Sequence, residues 1–185
     1  MKIKLLLSSL IFTGVLFTTQ AMAADYKIDT GHTFVTFKVS HLGYSFTNGR
    51  FNIFEGNFSH DVKTPSASKV SVTIDAKSVD TNHAERDKDL RSDNFLDVRK
   101  HPTITFESTA YMAGSDSDTL KGNLTIFSIT KAVAIKVKQV GEGKDPWGGY
   151  RSGFRGNVTL NSAEFGMPDW VGDLEIELNV EGIRI

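Results

Sequence analysis

The sequence contains no cysteine among its 185 residues and has no excess of either sign of charge. The lack of cysteine excludes a disulfide framework, a thiol nucleophile and zinc or iron–sulfur sites built on cysteine. The 21 basic and 22 acidic side chains almost cancel, so the chain lacks the basic profile of a nucleic-acid-binding protein. Its 39% content of hydrophobic residues argues against wholesale disorder. The composition therefore predicts one globular domain of moderate size that is stabilised by packing.

Residues 1–23 differ in composition from the rest of the chain. Two lysines open a basic end, an apolar stretch runs over residues 5–17, and Ala21-Met22-Ala23 supplies small residues for a cleavage site. An anchor helix would need about 20 continuous apolar residues, and serines and threonines interrupt this stretch. The pattern predicts a cleaved secretory signal peptide. Its removal would leave a domain of 162 residues, 24–185, and change the formal net charge from −1 to −3.

Alternation of apolar and polar residues dominates the chain after residue 24, which is the pattern of strands with one buried face. It predicts eight strands, at residues 32–41, 54–61, 69–80, 103–111, 119–126, 131–140, 150–160 and 173–182. Turn-forming sequences such as Asn48-Gly49 separate most of them and favour antiparallel neighbours. Glycines inside several strands favour bending of the sheet. The predicted fold is all-β, an antiparallel eight-stranded barrel.

One segment, about residues 82–97, breaks the alternation because it is charged and compatible with a helix. Asn82 can cap its start, with Glu85 three residues later. Asp87 and Arg91 fall four residues apart, on the same face of such a helix. We therefore predict a single helical crossover, placed as a lid over one end of the barrel.

Two kinds of reactive site can be considered in this crossover, a metal site and a catalytic site built from carboxylates. His83 and Asp87 lie four residues apart, and Asp89, Asp93 and Asp97 add further carboxylates. Such groups on an exposed helix are usually solvated, and their spacing matches no two-His metal motif. The chain also lacks the nucleophile elbow and the glycine-rich phosphate loops. The sequence therefore predicts no metal, no cofactor and no enzyme activity; the alternative is an enzyme that acts on a lipid head group through His83 and Asp87.

The interior of a barrel of this size either is filled with side chains or holds one small ligand. The apolar side chains at alternate positions of the strands would form the wall of such a ligand site. His41 shares this parity and either points a hydrogen-bond donor inward or is an ordinary core histidine. A ligand cavity and a dry packed core stay open as alternatives, and a packed barrel would act as an interaction module for envelope proteins. The predicted ligand-binding residues are Val35, Phe37, Val39, His41, Ile74, Phe106, Ile126, Ile135, Phe154, Ile176 and Leu178.

Several separated motifs resemble the YceI family. The first are VTFKVSHLG at 35–43, Gly49-Arg50-Phe51, and SVDTNHAERD at 78–87. The same pattern continues with LRSDNFL at 90–96, PTITF at 102–106 and DPWGG at 145–149. These motifs occur in the same order as in the YceI family and span essentially the whole chain after the signal segment. This makes the resemblance specific.

The resemblance implies a periplasmic, lipocalin-like barrel that binds a polyisoprenoid lipid, including an isoprenoid quinone, in its interior without catalysis. It also implies a connection with stress responses and a possible membrane b-type cytochrome as partner. We expect the bound lipid to be the only non-protein component, with Arg91, Asn94 and Phe95 of the crossover at the mouth of the cavity. The identity and length of the lipid are left open by the sequence.

Overall fold

A computed structural model of the protein describes residues 23–185, so the predicted signal peptide lies outside the described residues except for Ala23. The helix α1 spans Ala84–Leu90. Between residues 23 and 185, none of the helices has the length and apolar composition needed to span a membrane. The strand segments are β1 (Ala24–Ile28), β2 (Phe34–His41), β3 (Ser45–Phe51), β4 (Phe54–His60), β5 (Lys69–Asp75), β6 (Val79–Asp80), β7 (Thr103–Met112), β8 (Asp118–Ile126), β9 (Ile129–Lys144), β10 (Tyr150–Asn161) and β11 (Asp173–Arg184).

These segments form a closed antiparallel barrel with eight strand positions. β1 pairs with both β4 and β11, which closes the sheet. The N-terminal half of β11 pairs with β2, so that β1 and β2 together occupy one strand position of the barrel. In the same way, β3 and β4 together occupy one strand position. β5 and β6 together occupy the neighbouring position, because β3 pairs with β6 and β4 pairs with β5. The prediction of an eight-stranded antiparallel barrel with one helical crossover is therefore confirmed.

The β2–β3 hairpin differs from the sequence-based prediction, which contained neither β1 nor β3. Asn48-Gly49 lies in the middle of β3 and not in a turn. Gly49 is required there because an added Cβ would collide with the ring of Phe37 on the neighbouring strand. The chain instead reverses at Leu42 and Gly43, whose φ angles are 54° and 77°. Positive φ values at successive residues are typical of tight hairpin connections.

The crossover is helical over a shorter span than predicted. His83 caps the helix by accepting a hydrogen bond from the Arg86 amide, whereas Asn82 precedes the cap with a φ of 59°. Asp87 is buried and accepts hydrogen bonds from the amide and hydroxyl of Thr81 at 2.8 and 2.5 Å. Arg91 does not pair with it. The Arg91 guanidinium instead donates to the carbonyls before and within β6, which ties the crossover to that strand.

The barrel has two ends. The terminal end carries the start of β1, the end of β11 and the β9–β10 turn, while the helix end carries α1 and the β2–β3 hairpin. A plug of buried side chains closes the interior at the helix end. Its members are Ala76, Ile104, Ile126, Leu160 and Phe165, with the half-buried Val98 and Met167 of the connecting segments packed against them.

Candidate functional site

A cavity of about 190 Å³ lies inside the barrel between the two ends. Eight of the predicted ligand-binding residues line it: Val35, Ile74, Phe106, Ile126, Ile135, Phe154, Ile176 and Leu178. Sequence reasoning missed further apolar members of the lining. These are Ile28, Phe51, Phe54, Phe58, Val70, Val72, Ile104, Leu120, Leu124, Val133, Val137, Val158, Leu160 and Val180.

Several inward side chains of the wall do not reach full burial. Phe154, Ile176 and Leu178 line the cavity, yet each is only half-buried. Apolar side chains inside a well-packed domain normally touch neighbours on all sides, so these side chains face empty space. The barrel interior therefore contains a cavity and is not a continuous packed core.

The three remaining predicted wall residues, Phe37, Val39 and His41, do not line this cavity. They continue the inner face of β2 beyond Val35, because the strand is regular from Val35 to His41. The Phe37 ring lies 5.9 Å from that of Phe51, measured between centroids. His41 is exposed and borders a separate cleft of about 430 Å³ between the hairpin and the start of α1. All three share the parity of Val35, but the hairpin extends past the closed part of the barrel.

The residues predicted for the mouth also lie at the helix end but outside the lining of the cavity. Arg91 is engaged with backbone carbonyls, and Asn94 is exposed. Phe95 packs edge-on against Trp170, with 5.8 Å between the ring centroids. Side chains of the crossover thus hold it in place against the barrel.

Two polar aromatic side chains, His60 and Tyr111, face the cavity near the terminal end. His60 Nδ1 lies 3.0 Å from the hydroxyl of Ser68, and the His60 ring packs edge-on against Phe154 at 5.0 Å. Burial lowers the pKa of His60 below its ordinary value of 6.5. The Tyr111 hydroxyl donates to Asp118 at 2.6 Å, and burial together with this bond raises the pKa of Tyr111.

The inward position of His60 could have been read from the sequence. It shares the parity of Phe54 and Phe58 in a strand that was predicted over residues 54–61. Tyr111 closes the strand that is predicted over residues 103–111, but it is out of phase with the apolar Ile104 and Phe106 of that strand. A register shift near Ser108 turns it toward the cavity. Such a bulge changes the parity, and only the structure reveals it.

One group of potential metal ligands, Asp29, His32 and Glu181, lies near the terminal end. The guanidinium of Arg151 occupies this group, since it contacts Asp29 at 2.5 Å, Asp145 at 2.9 Å and also Glu181. The bond to Arg151 is the main reason why the pKa of Asp29 falls to about 2. The arrangement is an ion-pair network that joins the β1–β2 connection to β10 and β11, and it leaves no reason to place a metal ion there.

The family model for the YceI-like domain matches residues 26–182. The chain belongs to the YceI-like family. A UPF0312 protein of Pseudomonas aeruginosa is 54% identical over 189 residues, which cover 98% of this chain and 99% of the relative. The sequence motifs that pointed to YceI are thus supported by a match that includes every strand of the barrel except the ends of β1 and β11.

Solved structures show the same YceI-like fold at lower identity. Burkholderia cenocepacia BcnA superimposes with a TM-score of 0.75 at 21% identity, covering 83% of this chain and 98% of that protein. A polyisoprenoid binding domain from Saccharophagus degradans superimposes with a TM-score of 0.65 at 12% identity, covering 89% and 100% of the two chains. At these identities the similarity concerns the fold.

Proposed function

We propose that this YceI-like protein binds the tail of a long-chain isoprenoid lipid in its barrel and acts as a carrier in the periplasm. The observation that carries the proposal is the apolar cavity inside a closed barrel, with wall side chains that face empty space. A structural relative described as a polyisoprenoid binding domain has this fold. The signal-peptide pattern in residues 1–23 supports the periplasmic location.

The size and the apolar lining of the cavity favour a thin apolar chain. Its volume of about 190 Å³ is below the range of about 300–1,000 Å³ typical of sites for drug-sized ligands. Burial of a lipid tail would contribute about 0.8 kcal/mol for each methylene removed from water. A long tail would require inward side chains such as Phe58 and Phe154 to rotate and widen the space. We therefore expect binding to be driven by the tail, with the polar head group contributing less.

The contacts of His83 and Asp87, the two side chains considered for an enzyme, favour binding over catalysis. The Asp87 carboxylate is buried and bonded to Thr81, and the His83 ring caps α1. Both side chains therefore serve the local structure of the crossover. A role in quinone handling or in a stress response, and a membrane b-type cytochrome as partner, are narrower predictions that rest on the family resemblance.

The test is organic extraction of the purified protein followed by mass spectrometry, together with thermal unfolding in the presence of prenyl quinones. Val133→Phe would fill the cavity, because Val133 is half-buried and lines it. Ala134→Phe on the exposed opposite face of the same strand is the matched control. We expect wild-type protein and Ala134→Phe to carry a long-chain lipid and Val133→Phe to carry little.

A melting temperature for each variant separates loss of binding from loss of folding. Val158→Phe, which fills the cavity from β10, is the second variant should Val133→Phe fail to fold. Absence of extractable lipid in protein from several expression hosts, with no thermal shift by prenyl quinones, would contradict the proposal. Lipid turnover that disappears in Asp87→Ala while binding persists would instead favour the enzyme alternative.

A further inference from the structure

The β2–β3 hairpin projects beyond the barrel at the helix end. β11 covers β2 only as far as Val39, and β6 covers β3 only from Arg50 onward. Residues 40–49 therefore pair only within the hairpin. This part of the chain forms a protrusion with solvent on most of its surface.

The projecting tip carries large apolar side chains. Leu42 is 70% exposed, Tyr44 is 87% exposed, and Phe46 is also exposed beneath the ammonium group of Lys38, 4.6 Å from the ring centroid. Trp170 lies at the same end of the barrel, beside Phe95 in the short 3₁₀ turn that leads into β11, and is 69% exposed. One end of the barrel thus presents several aromatic and aliphatic side chains to water.

The hairpin itself carries two cations and no carboxylate, and each cation is paired with a carboxylate of a neighbouring strand. Residues 34–51 contain Lys38 and Arg50 but no aspartate or glutamate, whereas residues 24–185 carry a net charge of −3 as a whole. Lys38 pairs with Glu175 at 2.7 Å and Arg50 with Asp80 at 3.8 Å, and all four side chains are at least one-third exposed. Exposed ion pairs contribute little, so both cations can exchange these partners for other anions.

We propose that the helix end of the barrel docks on an anionic membrane surface, with the hairpin tip inserted at the level of the head groups. Tyrosine and tryptophan favour this level because their rings are apolar and their tips polar. Cations beside such residues are attracted to anionic lipids. A bilayer fits this tip better than a folded partner does, since Leu42 and Tyr44 protrude from a convex turn and do not form a flat patch.

The hairpin also connects the docking end with the cavity. Its inner face carries Val39 and Phe37. The Phe37 ring packs against the ring of Phe51, which lines the cavity. An apolar track of half-buried side chains therefore runs from the cavity toward the tip. Docking at this end would place the track against the membrane, and a lipid tail that enters along it would have to displace side chains of the plug at the helix end.

The two tryptophans of the chain allow a direct test, because they lie at opposite ends of the barrel. Trp147 is in the β9–β10 turn at the terminal end and is 78% exposed, much like Trp170. Single-tryptophan proteins, Trp147→Phe and Trp170→Phe, are mixed with phosphatidylcholine vesicles that contain or lack phosphatidylglycerol, with brominated acyl chains as quenchers. We expect about a twofold or greater quenching of Trp170 on anionic vesicles and essentially none of Trp147, since membrane insertion reaches only one end.

A second experiment changes the tip itself. The double substitution Leu42→Ser and Tyr44→Ser is compared with Val140→Ser, which removes a 72% exposed side chain near the other end. We expect partitioning onto anionic vesicles to weaken about tenfold in the hairpin variant, because binding follows the buried apolar area. Val140→Ser should bind like the wild type, and both variants should keep the wild-type melting temperature, since the replaced side chains are exposed.

Quenching of Trp147 in place of Trp170, no quenching at either position, or unchanged binding of the hairpin variant would overturn the proposal. It would also fail if the hairpin mediates self-association in sedimentation experiments while vesicles do not bind. The result is separable from the proposed function. Vesicle binding by a protein without extractable lipid would contradict only the cavity proposal, and a lipid-loaded protein that ignores vesicles would contradict only the docking proposal.

Discussion

The wall of the cavity and the plug at the helix end share Ile104, Ile126 and Leu160, yet their other members pack differently. In the plug, Phe165 is 2% exposed and Ala76 is 1% exposed. In the wall, Ile176 and Leu178 are only half-buried although they point into the same barrel. The empty space is therefore confined to one region and does not reflect loose packing throughout. This contrast assigns the plug to stability and leaves the wall free to accept a ligand.

The largest expected effect follows from truncation of the plug. Phe165→Ala would leave a new cavity among Ile104, Ile126 and Leu160. Truncation of a fully buried phenylalanine typically lowers the free energy of unfolding by about 3–5 kcal/mol. Denaturant-induced unfolding of the purified protein measures this loss.

Ile176→Ala in the wall is the control that tests the contrast. Because Ile176 already faces empty space, its truncation enlarges a cavity that exists and removes fewer contacts. We expect a loss below the range of about 2–5 kcal/mol found for fully buried isoleucines. Equal losses for Phe165→Ala and Ile176→Ala would mean that the wall is as well packed as the plug in solution.

A smaller effect is expected where the wall is too tight for an added methyl group. A Cβ at Gly122 of β8 would collide with the ring of Phe106, which lines the cavity, and with the carbonyl of Glu107. Gly122→Ala should lower the free energy of unfolding by about 1–3 kcal/mol, as overpacked sites do. It should also reduce lipid binding by moving Phe106 into the cavity.

Gly141→Ala provides the matched control for this substitution. Gly141 also lies in a strand, but a Cβ there meets no atom within 4 Å. Its effect should stay within about 0.5 kcal/mol, as at ordinary surface positions. A similar loss for both variants would show that the cost arises from the glycine backbone and not from the collision with Phe106.

The sequence revealed the barrel because alternation is a strong signal where one face of each strand is buried. Part of the wall could be predicted for the same reason, including Ile135 and Ile176 on regular strands. Phe37 and Val39 have the same parity, but their distance from the cavity depends on where β11 stops covering the hairpin. That boundary is a long-range pairing, which a local pattern does not contain.

The crossover was harder to predict because local signals compete there. Asn82 and His83 can both cap a helix, and the buried bonds between Asp87 and Thr81 decide in favour of His83. The short helix then ends because Arg91 binds the carbonyls of Lys77 and Val79 on the barrel. These tertiary contacts replaced the pairing of Asp87 with Arg91 that the four-residue spacing favours.

The smallest expected effect is a pH dependence that arises in the wall and not in the plug. Burial lowers the pKa of His60 in the folded protein below 6.5, whereas the unfolded chain keeps the ordinary value. As the pH falls below 6.5, the unfolded chain therefore binds a proton that the folded chain does not, and the free energy of unfolding decreases. The stabilising effect of neutral His60 is fully present above this pH.

Denaturant unfolding from neutral pH down to about pH 5 measures the slope, in a range above the ordinary titration of carboxylates such as Asp29. His60→Gln should flatten the slope because glutamine does not titrate, and His41→Gln on the exposed hairpin is the control for removal of an imidazole. An unaltered slope in His60→Gln would mean that the His60 ring is solvated in solution. The same protonation would place a charge against the apolar wall, so lipid release on acidification should also depend on His60.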